Sequence, residues 1–132
     1  MPDLSTFSQL AQIALGEFSL KPTSLTKDQR EASTTLWVSN DGLMEIGVWE
    51  CTPGRFTANR EAAAEFCHFL SGRIEMRHAD GTRKLLGAGD ALMLPRGWKG
   101  EWNILETTRK IYVIYRDGDR VKPEYRGGDS AD

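Results

Sequence analysis

The chain has 132 residues, 39% of them apolar and 27% charged, with a formal net charge of -2. That is enough for one domain with a real core and not for two. Its balanced charge gives no electrostatic footprint for nucleic acid or an anionic membrane, and no apolar run approaches the ~20 residues of a membrane span.

The N-terminus, M-P-D-L-S-T-F-S-Q-L, lacks the basic region of a secretory signal, so the cytoplasm is the expected location. There Cys51 and Cys67, too far apart for a C-x-x-C motif, are expected as free thiols. The first predicted element is a short helix over 6–14. Thr6 serves as its N-cap with Gln9 three residues on, Phe7, Leu10, Ile13 and Ala14 share a face, and Gly16 ends it. A polar, extended lead-in follows over 20–34, around Lys21-Pro22-Thr23-Ser24. Residues 1–34 are thus an N-terminal helix and lead-in, 35–115 a barrel, and 116–132 a polar C-terminal extension with Val121 and Tyr125 as a possible added edge.

Within the barrel the pattern predicts strands at 35–39, 43–50, 64–70, 73–79, 82–86, 91–94, 101–106 and 109–115. Each is short, rich in apolar or β-branched residues and bounded by turn residues. Asn40-Asp41-Gly42, Ser71-Gly72 and Asp80-Gly81 read as hairpin turns. Eight such strands predict an all-β sandwich or barrel. Alternation puts Glu65, Cys67 and Phe69 on one face, and Phe66, His68 and Leu70 on the other. Both faces are apolar enough that neither is marked as inward, and burial on both sides is expected. Ile74, Met76 and His78 point in, opposite Arg73, Glu75 and Arg77. The last strand sets Ile111, Val113 and Tyr115 against Tyr112 and Ile114. One of those faces fills the core, and the other is expected to meet a second copy in a homodimer.

Three segments carry a resemblance: G-V-W-E-C-T-P-G-R-F at 47–56, E-F-C-H-F-L-S-G at 65–72, and G-A-G-D-A-L-M-L-P-R-G-W-K-G-E-W at 87–102. With L-E-T-T-R-K-I-Y-V-I at 105–114, they resemble the cupin superfamily over roughly residues 35–115. The similarity is greatest to small single-domain cupins of the ureidoglycine aminohydrolase and ethanolamine-utilisation group. The resemblance implies a double-stranded β-helix, the RmlC-like jelly roll, often dimeric, with a pocket between its sheets. It also implies a metal-ligand pattern of two His and a Glu from the first motif and one His from the second. Glu65, seven residues before Gly72, holds the glutamate place. The histidine places fall at Asn59 and Glu61, or at Ala58 and Arg60, and in the second motif at Gly100, so none is a histidine.

Metal sites want three or four converging His, Cys or carboxylate ligands, and this chain has two histidines, His68 and His78. No cofactor is expected, although a divalent Mn, Fe, Ni or Zn ion on Glu65 and Cys67 with Glu61 or Glu50 stays open. Glu65, between Ala64 and Phe66, has two readings. Buried without a partner its pKa rises and it becomes a general acid or base. Alternatively it is held by Lys99, Arg55 or a tryptophan N–H and props the barrel wall. Cys67 has no paired base and reads as a small apolar side chain. Trp98 and Trp102 bracket Lys99 and Gly100, an aromatic pair with a cation that suits a small organic anion or an amide-bearing metabolite. The expected pocket therefore comprises Glu65, Cys67, Lys99, Trp98, Trp102 and Glu50. Two functions remain: a metal-free binder of a small polar organic ligand in nitrogen-metabolite metabolism, or an aminohydrolase- or isomerase-like enzyme using Glu65.

Overall fold

The computed structural model describes residues 2–117. Its strands are β1 (Ser19–Leu20), β2 (Arg30–Val38), β3 (Met44–Cys51), β4 (Gly54–Asn59), β5 (Ala63–His78), β6 (Arg83–Gly87), β7 (Ala91–Leu94) and β8 (Lys99–Arg116). All pairings are antiparallel. The two long strands organise the molecule. β5 and β8 pair along their whole length, from Ala63 opposite Arg116 to His78 opposite Gly100. On its other edge β8 takes β4 along residues 99–104 and β3 along 108–115. β5 takes β7 along 65–68 and β6 along 73–77. Each long strand therefore serves two sheets, β1-β2-β3-β8-β5-β7 and β4-β8-β5-β6, which close over one core as a jelly roll. Trp102, Phe69, Ile74, Ile104, Cys67 and Cys51 are buried in that core.

Fusion of predicted strands is the main difference from the sequence pattern. Segments 64–70 and 73–79 are one strand, and so are 101–106 and 109–115. Ser71-Gly72 is not a hairpin turn but the bend of β5, where the register with β8 shifts between Phe69 and Ile74. Gly72 has φ +99°, and a Cβ there would meet the Thr108 side chain and backbone. It marks a bulge that lets one strand cross between sheets. Gly72→Ala is expected to cost at least about 1–3 kcal/mol, because the backbone conformation is one that side-chain-bearing residues resist. Urea denaturation checks this, and an unchanged midpoint would mean the bend tolerates ordinary backbone. The other two turns hold: Gly42 (φ +75°) joins β2 to β3 and Gly81 (φ +94°) joins β5 to β6. β4 is an addition, hidden in sequence by the polar run Gly54-Arg55 and Thr57.

The N-terminal helix is absent. Residues 6–14 make a single turn, with Gln12 and Ile13 N–H groups both donating to the Gln9 carbonyl and Gln9 itself at φ 55°. The Leu10 carbonyl, which a helix over 6–14 would use, and the Ile13 carbonyl accept instead from Arg109 Nη1 at 3.0 and 2.9 Å. A segment this short does not repay the cost of nucleating a helix when a buried guanidinium competes for its acceptors. The lead-in also differs, since β2 begins at Arg30 and pairs with β1. The polar extension over 116–132, with Val121 and Tyr125, lies outside the described residues beyond Asp117. Among the described residues no helix is long and apolar enough to cross a membrane.

β5 resolves its two apolar faces clearly. Glu65, Cys67 and Phe69 are buried, whereas Phe66 is exposed and His68 and Leu70 are half-buried. Phe66 belongs to a row on the outer face of the larger sheet. Trp37, Ile46, Val113, Phe66 and Met93 are successive cross-strand partners over β2, β3, β8, β5 and β7.

Candidate functional site

β8 supplies the floor of a cavity between the sheets. Trp102 and Ile104 point inward, and the same alternation continues to Lys110, Tyr112 and Ile114. β3 adds Trp49, β4 adds Phe56 and Ala58, and β5 adds Glu65. Lys21, Ser33 and Arg60 complete a cavity of about 180 Å³. Lys21, Phe56, Ala58 and Arg60 also line an adjoining cavity of about 590 Å³, together with Lys99 and Gly100. These four residues border both spaces.

The walls are aromatic. Trp102 stacks on Phe56 (centroids 5.7 Å apart, planes at 17°) and meets Trp49 edge-on at 5.7 Å. Two ammonium groups lie against these rings. Lys110 Nζ is 4.1 Å from the Trp102 centroid and 4.4 Å from that of Trp49, and Lys21 Nζ is 4.3 Å from Phe56. The ring quadrupoles favour cations there.

The charges are partnered unevenly. Lys110 Nζ donates to Glu65 Oε2 at 2.8 Å, with both side chains buried. Arg60 Nη1 lies 3.5 Å from Glu65 Oε1. Lys21 Nζ donates to Glu31 Oε1 at 2.8 Å, and Trp49 Nε1 donates to the same oxygen at 2.9 Å. Lys21, Arg60 and Lys110 thus line the cavity with Glu65, while Glu31, outside the lining, pairs with Lys21. Burial pushes the Glu65 carboxyl up, but the Lys110 and Arg60 charges pull it further down, to a net position below the ordinary carboxylate range. Burial likewise disfavours charged Lys110, yet Cys67 and Glu65 beside it carry its pKa above the usual value. Glu65 is therefore an anchored carboxylate, opposite in direction to the unpartnered acid of the first sequence reading.

Of the residues expected at the site, Glu65 and Trp102 line the first cavity, and Lys99 lines the adjoining one. Cys67 is fully buried behind Glu65, and burial pushes its thiol up to about 12. Trp98 turns aside, donating from Nε1 to His78 Nδ1 at 3.1 Å. Glu50 lies on the outer face, accepting from Arg109 Nε at 2.8 Å. The partners considered for Glu65 are engaged elsewhere: Lys99 with Glu61, Arg55 with Glu101, and the Trp49 N–H with Glu31. Its actual partners, Lys110 and Arg60, were missed. For Lys110 the signal was present, a charged residue in phase with Tyr112 and Ile114. Lys21 and Arg60 flank strands and have no such periodicity.

A model of the EutQ-like cupin domain matches residues 38–112. The chain belongs to that family. No curated protein matches this cupin. Among solved structures it is similar to a putative ethanolamine utilization protein Q from Salmonella typhimurium LT2, at 22% identity and TM-score 0.63, over 76% of this chain and 80% of that one. It is similar to the Clostridium difficile EutQ protein at 18% identity and TM-score 0.65, over 82% and 84% of the two chains. Ectoine synthase from P. lautus aligns at 15% identity and TM-score 0.64, over 85% and 78%. At these identities the neighbours share the fold.

The residues of this cupin do not fit the ligand pattern of metal-bearing cupins. Glu65 alone keeps its place, and both its oxygens face cations, which would repel a divalent ion. At Gly100, the fourth ligand place, a Cβ would collide with the Arg77 carbonyl and the Trp98 ring. Among the described residues no three His, Cys, Asp or Glu side chains converge.

Proposed function

We propose that this cupin binds a small polar organic molecule of nitrogen-metabolite metabolism in its barrel cavity, without a resident metal ion. One observation carries the reading: an aromatic-walled cavity lined by Lys21, Arg60 and Lys110 together with Glu65. Ethanolamine utilization, named for the Salmonella typhimurium neighbour, supports the nitrogen-compound setting. The alternative, an aminohydrolase- or isomerase-like enzyme, needs Glu65 to exchange a proton near neutrality. A carboxylate anchored between Lys110 and Arg60 is poorly suited to that role.

Trp49 and Trp102 line the cavity, so occupancy is read by tryptophan fluorescence and by thermal shift. A broad set of small polar metabolites is expected to contain members that do both, with saturable titration. A set that leaves both signals unchanged would sink the binding reading. Turnover of a hit that is lost in Glu65→Gln would favour the enzyme instead.

The same proposal includes a homodimer formed through the outer row Trp37, Ile46, Val113, Phe66 and Met93. Phe66 and Met93 are 42% and 55% exposed, two large apolar side chains side by side on neighbouring strands. Light scattering is expected to give twice the chain mass, and half of it for Phe66→Glu. A monomeric parent chain would remove the dimer.

A further inference from the structure

His78 ends β5, opposite Gly100 of β8. Its Nδ1 accepts from the Trp98 indole N–H at 3.1 Å, with the two rings edge to face at 6.1 Å. An indole nitrogen only donates, so this bond needs an unprotonated Nδ1, with the imidazole proton on Nε2. A protonated imidazole carries N–H on both nitrogens, and Nδ1 then meets the indole donor with a donor of its own. Imidazoles change charge between about pH 5 and 8.

The seat of this indole bears on the cavity wall. Gly100 leaves the space the ring fills, since a Cβ there would come within 2.6 and 2.8 Å of two ring carbons. The backbone beside it clasps Arg60 in both directions. The Arg60 N–H donates to the Trp98 carbonyl at 2.8 Å, and the Gly97 N–H donates to the Arg60 carbonyl at 2.7 Å. Arg60 in turn borders both cavities. The charged side chains on the elements around His78 are Arg77 of β5, Arg83 of β6, Lys99 and Glu101 of β8, and Asp80 of the turn after β5. Arg77 and Arg83 pair with Glu75, Lys99 with Glu61, and Glu101 with Arg55. Asp80 interacts with the His78 charge and so favours the imidazolium. We propose that His78 is a pH-operated latch: neutral, it holds the Trp98 indole against Gly100 and with it the clasp on Arg60; protonated, it releases both. The latch does not depend on which ligand the cavities take.

The full chain is titrated from about pH 8 to about pH 5, with NMR following the Trp98 indole N–H, the His78 ring and backbone amide exchange. The indole signal is expected to move with the same midpoint as the His78 ring. Below that midpoint, exchange of the Gly97 and Arg60 amides, corrected for its intrinsic pH dependence, is expected to quicken by about twofold to tenfold, the equivalent of one ordinary hydrogen bond. The Phe69 amide, bonded to the Asp90 carbonyl in another part of the barrel, is expected to stay unchanged. His78→Gln keeps an acceptor that does not titrate, and is expected to leave Gly97 and Arg60 protected at both ends of the range. His78→Phe has no acceptor, and is expected to show the faster exchange at both. An indole signal that ignores the His78 midpoint, or the same acid-driven rise in His78→Gln, overturns the latch. A rise that Phe69 shares overturns it too, as general loosening in acid. Where either variant fails to fold, the shared midpoint in the parent chain decides alone.

Discussion

Lys110→Met is expected to lower the unfolding free energy by about 3–5 kcal/mol, the range for stranding one member of a buried ion pair. The substitution leaves Glu65 ionised in the core with Arg60 at 3.5 Å as its remaining charge partner. Removing both charges in Lys110→Met/Glu65→Leu is expected to restore most of the loss, since a packed apolar pair of similar volume needs no desolvated charge. Urea titrations of the parent, both singles and the double give the coupling directly. Additive losses would mean the pair is solvated. The same pair sets the pH range. Glu65 titrates lower when folded, so its contribution is complete above its ordinary 4.5 and is lost as pH falls through the folded value. Lys110 titrates higher when folded, so its contribution is complete below 10.5 and is lost as pH rises through the folded value. The parent is expected to be more stable than the double variant by a constant margin between those limits, with the margin shrinking at both extremes. A margin that varies across neutral pH would contradict the directions assigned here.

Trp102→Ala is expected to cost about 3–5 kcal/mol as well, by a different route. Trp102 is 2% exposed and touches three other rings, Phe56, Trp49 and Phe69. Its removal opens a void at the centre of the barrel and strips one wall from the ligand cavity. It also takes away the ring face nearest to Lys110 Nζ. Trp102→Phe keeps an aromatic face and is expected to lose less. Thermal and urea unfolding distinguish the two, and an Ala variant within about 1 kcal/mol of the parent would show that the neighbouring rings collapse into the space.

The all-β architecture was readable because its signals are local. Turn residues at Asn40–Gly42 and Asp80-Gly81, alternation in 73–79, and the glycine-framed motif at 87–102 all act over a few residues. Strand length was less readable. Gly72 carries the same signature whether a chain reverses or bends, and only the pairing of β5 with β8 on either side selects the bend. The helix over 6–14 failed for a related reason. Its apolar spacing is sound, but Arg109, nearly a hundred residues away, claims its carbonyls. At the site, Glu65 and Trp102 stood out by motif and by type. Arg60 and Lys21 reach the cavity from outside the strands, where no period exists to show which way a side chain points.

The length of β8 bears on how the protein is made. β3, β4 and β5 all hydrogen-bond to this one strand, and among the described residues it follows every other strand. A ribosome has therefore synthesised the seven other described strands before β8 can join them. Until Lys99–Arg116 emerges, β4 lacks its strand partner and β5 has only β6 and β7, so the edges that β8 will cover stay open to other chains. Closure awaits the distant pairings of this strand, which favours slow folding. A nascent chain stalled before residue 99 would expose that vulnerable intermediate to aggregation and to the chaperones that guard against it.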